Sequence, residues 1–195
     1  MHNLSRMDGL VLTAWLVFVV YWFVSAGNVK RDVDGGTGRR GRSLSLVRII
    51  AALALTYYFP TIITRLFGTS ILSPRDVALR ETGLVFTVSG VAFAIWARSH
   101  LGRNWSGHPA LKEDHELVTT GPYGFLRHPI YTGMLAAGLG SMFATLEAFW
   151  LYFFVLMRIT FVYRIHGEEG IMMRTFPDSY PAYRDRMNAL IPFIW

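Results

Sequence analysis

Five apolar runs divide the chain, at residues 9–26, 44–67, 77–97, 130–146 and 148–163. Each is close to the length an α-helix needs to cross a hydrocarbon layer about 30 Å thick at about 1.5 Å per residue. Their charged interruptions are few: Arg48 and Arg65 near the ends of the second run, Arg80 and Glu81 in the first turn of the third, and Arg158 inside the fifth. A run that crosses must be helical, because lipid offers no partner to an unpaired backbone N–H or C=O. Only Glu147 separates the last two runs, which predicts a tight helical hairpin over 130–163 with Glu147 at its tip. Gly133, Gly138 and Gly140, with Ala136 and Ala137, give the run 130–146 a small-residue face suited to close helix contact. The expected fold is an all-α integral membrane protein of about five transmembrane helices.

The run 9–26 is longer than the apolar part of a secretory signal, and its basic stretch follows the run instead of preceding it. It reads as a retained span. Lys30, Arg31, Arg39, Arg40 and Arg42 follow it; Arg98, Arg103, Lys112 and Arg127 lie between the third and fourth runs; Arg164, Arg174, Arg184 and Arg186 follow the fifth. The opposite side holds Arg6, Arg65, Arg75 and Arg80. The positive-inside rule then places the N-terminus outside and the C-terminus in the cytoplasm.

Composition agrees with this pattern. Of the 195 residues 52% are hydrophobic and 16% charged, against about a quarter charged in soluble domains. The net charge of +6 sits between apolar runs and forms no basic face, so no nucleic acid partner is expected. The absence of cysteine excludes disulfides, thiolate metal sites and a cysteine nucleophile. The loop 27–43 carries Gly35, Gly36 and Gly38 among its basic residues. No strand precedes it and no P-loop Lys-Ser/Thr pair follows, so it reads as a segment drawn to anionic headgroups, not a phosphate cradle.

Two halves emerge, membrane helices over 1–98 and a chemically richer half over 99–195. The latter opens with His100, His108, His115 and His128, and with Glu113, Asp114 and Glu116. The irregular histidine spacing and the lack of an HExxH pattern argue against a metal site. Leu117 to Thr120 form a short extended run, and Gly121-Pro122-Tyr123-Gly124 must turn. Pro129 suits a first helical turn, which sets Arg127 and His128 at the cytoplasmic mouth of the helix over 130–146. Free N–H groups at that mouth, with Arg127 and His128, offer a place for an anion. Glu168 and Glu169 follow the last run and emerge on the same side, where they can close a polar site. Ser179 or Asp178 can cap a short helix with Pro181 in its first turn, with Tyr180, Tyr183, Met187 and Leu190 on one face.

The segments HELVTTGPYGFLRHPIYTG and EEGIMMRTFPDSYPAYRDRMNALIP, with LGRNWS ahead of them, resemble the isoprenylcysteine carboxyl methyltransferase family and related phospholipid methyltransferases, in their compact prokaryotic form. The resemblance covers roughly residues 100–192. It implies a helical membrane enzyme of a bacterial or archaeal inner membrane that binds S-adenosylmethionine without a Rossmann fold and releases S-adenosylhomocysteine. The chain carries no strand followed by GxGxxG, as this requires. By matching positions, the resemblance puts His115, Leu117, Val118, Gly121, Pro122, Tyr123, Arg127, His128, Tyr131, Glu168 and Glu169 in a cofactor pocket between the pre-helix loop and the C-terminal segment. Arg127, His128 and Glu168 are the candidate catalytic residues. Arg127 and His128 suit the cofactor's carboxylate, and Glu168 or Glu169 its amino group or ribose hydroxyls. The implied partners are membrane lipids and a lipid-like or prenylated acceptor carrying a carboxylate or an amine. A competing reading is an NADPH-dependent membrane reductase of the sterol-reductase type, which shares an HPxY-type segment; the GPYGFLRHPIYTG context and the Glu168-Glu169 pair favour the methyltransferase.

Overall fold

The computed structural model describes residues 6–26, 77–105 and 116–190. The expected span at 44–67 and His115 lie outside the described residues. The elements are α1 (Arg6–Ala26), α2 (Val77–Leu101), α3 (Pro129–Thr145), α4 (Ala148–Thr175) and α5 (Tyr180–Arg186), with 3₁₀ turns at Gly102–Asn104 and Gly121–Gly124. Among the described residues there is no strand, only a parallel bridge between Leu126 and Asn188. Among the described residues three stretches are long and apolar enough to cross a membrane: Arg6–Ser25, Val77–Asn104 and Ala148–Thr175. Their outward faces fit lipid: Phe23 and Val24 on α1, Val85 on α2 and Ile159 on α4 are all more than 60% exposed.

The core is built on the contact of α2 with α3. Gly83 and Gly90 lie two turns apart on α2, as do Gly133 and Gly140 on α3, so each pair faces the same way. A Cβ on Gly90 would lie 2.5 Å from the Ala137 nitrogen, and one on Gly140 would lie 2.5 Å from the Thr87 nitrogen. Backbone therefore meets backbone, and no side chain larger than hydrogen fits at these positions. The polar groups trapped there bond one another. Thr87 donates to the Gly83 carbonyl at 3.0 Å, Ser141 to the Ala137 carbonyl at 2.7 Å, and the Trp15 indole of α1 to the Ser141 hydroxyl at 3.0 Å. The small-residue face expected from the sequence is thus divided. Gly133, Ala137 and Gly140 meet α2, whereas Gly138 faces Met157 and Phe154 of α4.

Helix directions follow from contacts at the ends. Arg98, at the end of α2, donates to the Ser25 carbonyl at the end of α1, 2.8 Å away, so α1 and α2 run parallel. Gly83 lies against Gly140 and Gly90 against Gly133, so α3 runs antiparallel to α2. At the far end Arg80 donates to the Ala144 carbonyl at 3.0 Å and satisfies the last turn of α3. Leu146, at φ 62, ends α3 in the left-handed region, and α4 begins two residues later. This is the hairpin the sequence predicts. One boundary differs: α4 does not stop at Tyr163 but runs on to Thr175, 28 residues in all. Arg164, Glu168 and Glu169 therefore belong to the helix and not to a tail.

Replacing Gly90 by leucine is expected to destabilise the bundle by about 3 kcal/mol or more, since backbone cannot move aside. Gly9→Leu, at a position with nothing within 4 Å of the added Cβ, is expected to stay within about 0.5 kcal/mol. Thermal unfolding in detergent followed by tryptophan fluorescence checks both; equal behaviour of the two variants would contradict the backbone contact.

Candidate active site

The described polar candidates gather at the end of the bundle where α1, α2 and α4 finish and α3 begins. His100, in the last turn of α2, holds the turn before α3: its Nε2 lies 2.9 Å from the Thr120 hydroxyl and its ring stacks on Tyr123. Gly121 sits at φ +58, and a Cβ there would lie 2.7 Å from the His100 ring, so conformation and space both require glycine. The turn delivers Pro122 and Tyr123 into the interior and leads through Leu126 to Arg127 and His128.

The C-terminal segment is stitched across this turn. Arg127 N donates to the Asn188 carbonyl at 2.9 Å and His128 N to the Ala189 carbonyl at 3.0 Å. Thr132 Oγ1 donates to the Leu190 carbonyl at 2.7 Å, and the Tyr183 hydroxyl to the Tyr123 carbonyl at 2.7 Å. The N–H groups expected to await an anion at the mouth of α3 are thus partly spent: those of Arg127 and His128 hold residues 188 and 189. Neither His128 nor Ser179, the residues in the N-cap positions of α3 and α5, makes a side-chain capping bond. Burial pushes the Tyr183 phenol up to about 12 despite the opposing influence of Arg127. The phenol therefore remains a donor at neutral pH.

Glu168 and Glu169 project from α4 toward the same point and divide the work. Glu169 accepts from Arg127 Nε at 2.8 Å, lies 3.3 Å from His128 Nε2, and has Arg184 at 3.7 Å. Arg127 Nη1 also donates to the carbonyls of Arg184, at 2.8 Å, and Met187. Glu168 accepts from the Tyr131 hydroxyl at 2.5 Å and from Arg164 Nη2 at 3.1 Å, with His128 Nδ1 at 3.6 Å. Arg164 Nε donates to the Tyr131 oxygen at 3.0 Å. The rings of His128, Tyr131 and Phe161 stack in series at centroid distances of 5.7 and 4.4 Å.

A cavity of about 360 Å³ opens beside this network. Of the residues singled out in the sequence, Leu117, Val118, Tyr123, Arg127, His128, Tyr131 and Glu168 line it. Gly121, Pro122 and Glu169 do not: the first two form the turn, and Glu169 holds Arg127 and His128 from behind. Apolar side chains line it as well, Phe18 and Trp22 of α1, Met134 of α3 and Phe161 of α4, the last stacked on Tyr131. Arg164 also lines it; charge counting along the sequence places it only among the arginines that follow the fifth run. The missing signal was spacing: Arg164 and Glu168 are an i,i+4 pair, visible once α4 is continued past Tyr163. Among the described residues no group of three or more His, Asp or Glu could hold a metal ion.

Residues 83–174 match the isoprenylcysteine carboxyl methyltransferase (ICMT) family. The chain is 33% identical over 119 residues to the protein-S-isoprenylcysteine O-methyltransferase of Schizosaccharomyces pombe, covering 59% of this chain and 50% of that one. With the Saccharomyces cerevisiae protein of the same name it shares 28% over 149 residues, 75% of this chain and 60% of the relative. The nickel-cobalt-cadmium resistance protein NccN of Alcaligenes xylosoxydans xylosoxydans is 33% identical over 97 residues, 47% of this chain and 44% of that one. The chain thus spans about half to three-fifths of the length of these first two relatives. It also superposes, with a TM-score of 0.57 and 23% identity, on the structure of the eukaryotic intramembrane Ras methyltransferase ICMT without a monobody, over 82% of this chain and 55% of that one. The fold is that of ICMT, and the matched stretch runs from α2 to the last turns of α4, taking in Arg127, His128, Tyr131, Arg164 and both glutamates.

Tyr183→Phe leaves the buried Tyr123 carbonyl without its donor, a cost of about 1–3 kcal/mol. Trypsin cleavage at Arg184 and Arg186 is expected to rise about tenfold while the bundle stays folded. In the wild type the raised phenol pKa means that this stabilisation is complete below pH 10, the unfolded value, and is lost only as pH climbs toward about 12. Unchanged cleavage in the variant would contradict the latch.

Proposed function

We propose that this chain is an S-adenosylmethionine-dependent membrane methyltransferase of the ICMT family, acting on a lipid-like acceptor. One observation carries the reading: one cavity is lined both by the polar side chains of Arg127, His128, Tyr131, Arg164 and Glu168 and by apolar side chains of α1, α3 and α4. A water-soluble methyl donor and a hydrocarbon-bearing acceptor need such a divided site. Its volume of about 360 Å³ is within the usual range for small-molecule sites, about 300–1,000 Å³, and its donor set suits a zwitterionic nucleoside. Leu117, Val118 and Tyr123 offer apolar surface for an adenine ring. The Glu168 carboxylate suits an ammonium, and His128 and Arg127 stand beside it for a carboxylate. Since Arg127 already holds Glu169 and two C-terminal carbonyls, its first task is to build this corner.

S-adenosylmethionine supplies a methyl group on a sulfonium, a good leaving group, so what is asked of the protein is alignment and exclusion of water. A carboxylate acceptor arrives ionised and needs no base. Arg164, which lines the cavity, orients it; Tyr131 and Glu168 fix the Arg164 guanidinium through bonds at 3.0 and 3.1 Å. A carboxylate so held would take the methyl group, with the electron pair of the carbon–sulfur bond returning to sulfur. For an amine acceptor, Glu168 is placed to take the proton. The NADPH reductase reading finds no observation that favours it.

A five-span topology with the cavity end in the cytoplasm belongs to the same proposal. The parallel arrangement of α1 and α2 supports it, because the chain leaves α1 at the cavity end and enters α2 at the other. The sequence between them holds the apolar run 44–67. The 17 residues of α3 span about 25 Å within the bundle. Arginines at the cavity end, among them Arg103, Arg174, Arg184 and Arg186, support its cytoplasmic placement. Assignment to the compact prokaryotic type rests on the sequence resemblance alone.

Calorimetric titration of the purified protein with S-adenosylhomocysteine and with NADPH is expected to give binding of the first only. Glu168→Gln is expected to weaken that binding about tenfold or more, given the strength of hydrogen bonds to charged groups. Glu81→Gln, exposed at the far end of α2, leaves it unchanged. Arg164→Ala is expected to lower methyl transfer to a prenylated carboxylate about 100-fold, by the same reasoning, with cofactor affinity kept within about threefold. Binding of NADPH without the adenosyl compound would overturn the proposal.

A further inference from the structure

Arg98 is the least expected residue of the bundle. It lies in the last turn of α2, is 2% exposed, and no carboxylate among the described residues pairs with it. Burying a cation without a counter-charge is costly, and a methionine would fill the same space. What Arg98 has instead is carbonyls: Nη2 donates to Ser25 O at the end of α1 (2.8 Å), and Nη1 to Gly102 O just past the end of α2 (2.9 Å). Both acceptors lie at helix ends whose dipoles favour a cation. The flat face of the guanidinium covers Trp105, 4.4 Å from its centroid, and Trp105 meets Trp22 of α1 edge-on at 5.4 Å. Among the described residues its Nε is buried without a hydrogen-bond partner, and these two bonds and this stack hold the side chain.

Three elements thus meet on one side chain, and two of the residues it fixes, Trp22 and Trp105, line the cavity. The guanidinium itself does not. Apolar contacts between helices are non-directional and let a helix end slide; a two-carbonyl clamp does not. We propose that Arg98 is a positioning residue for the acceptor's hydrocarbon: it pins the cavity end of α1 to α2 and holds Trp22 and Trp105 as a fixed wall. This rests on the reading of the cavity as a divided donor–acceptor site. The cofactor-facing residues come from the 117–131 stretch and α4, so releasing α1 affects acceptor binding and spares cofactor binding.

The test uses Arg98→Met, which keeps the stem and removes both bonds, and Arg98→Lys, which keeps the charge but cannot serve both carbonyls and the ring face. With an S-prenylated cysteine as acceptor, Arg98→Met is expected to raise the acceptor KM about tenfold, the loss of one to two net hydrogen bonds. Turnover and S-adenosylhomocysteine affinity stay within about twofold, and Arg98→Lys falls between. Because the chain has no cysteine, spin labels at Phe23→Cys and Ser99→Cys, both exposed, report the α1–α2 distance directly; it is expected to broaden in both Arg98 variants. An unchanged acceptor KM, an unchanged distance distribution, or parallel loss of cofactor affinity in the Lys variant would overturn the proposal. If the wild type binds no S-adenosylhomocysteine, the functional reading fails instead, and the label distances alone decide the clamp.

Discussion

Everything at the cavity depends on how closely α2 approaches α3. Four glycines let the two backbones touch, and in that contact no side chain can adjust the register between the helices. The register then decides that His100 at the end of α2 meets the Gly121 turn, and that α3 starts beside the end of α2. A looser interface, filled by leucines, would still be a membrane helix pair, but it would leave the turn at 120–124 without its seat. Small residues serve here as a datum for the chemistry one helix length away.

From that datum the polar groups sort themselves by solvent. The bundle's sides face lipid, so charged side chains lie mostly toward its ends, and at the cavity end they satisfy one another. The result is two linked sets. Glu169 with Arg127 and His128 holds the C-terminal segment against the mouth of α3. Glu168 with Tyr131 and Arg164 faces the cavity. Neighbours in sequence on one helix thus have separate surroundings, Glu169 behind Arg127 and His128 and Glu168 on the cavity. Tyr123 and Tyr180 are buried there, which raises their phenols.

Much of this was legible in the residues, and the reasons differ by feature. Periodicity and length gave the helices, since a membrane leaves few alternatives. Gly-Pro in the turn and Pro129 gave the start of α3. Arg127, His128, Glu168 and Glu169 could be grouped because two segments expected to emerge on one side can meet, and Tyr131 joined them by its matching position in the family resemblance. Three things were not legible. The end of α4 was misplaced at Tyr163 because hydropathy marks where lipid ends, whereas a helix continues wherever packing supports it; Arg164 was lost with it. The use of the Arg127 and His128 amides was hidden because residues 188 and 189 carry no signal for pairing with so distant a segment. Arg98 read as one more positive-inside arginine, since charge counting cannot distinguish an arginine facing headgroups from one buried between two helix ends.

The central claim is that the 117–131 stretch, α4 and the C-terminal segment form one cofactor site. Amide hydrogen exchange with and without S-adenosylhomocysteine tests it most directly. Protection is expected to increase together over residues 117–131, 164–172 and 180–190, with the far halves of α1 and α2 unchanged. Protection confined to any one of these stretches, or none at a saturating concentration, would contradict a single site assembled from all three.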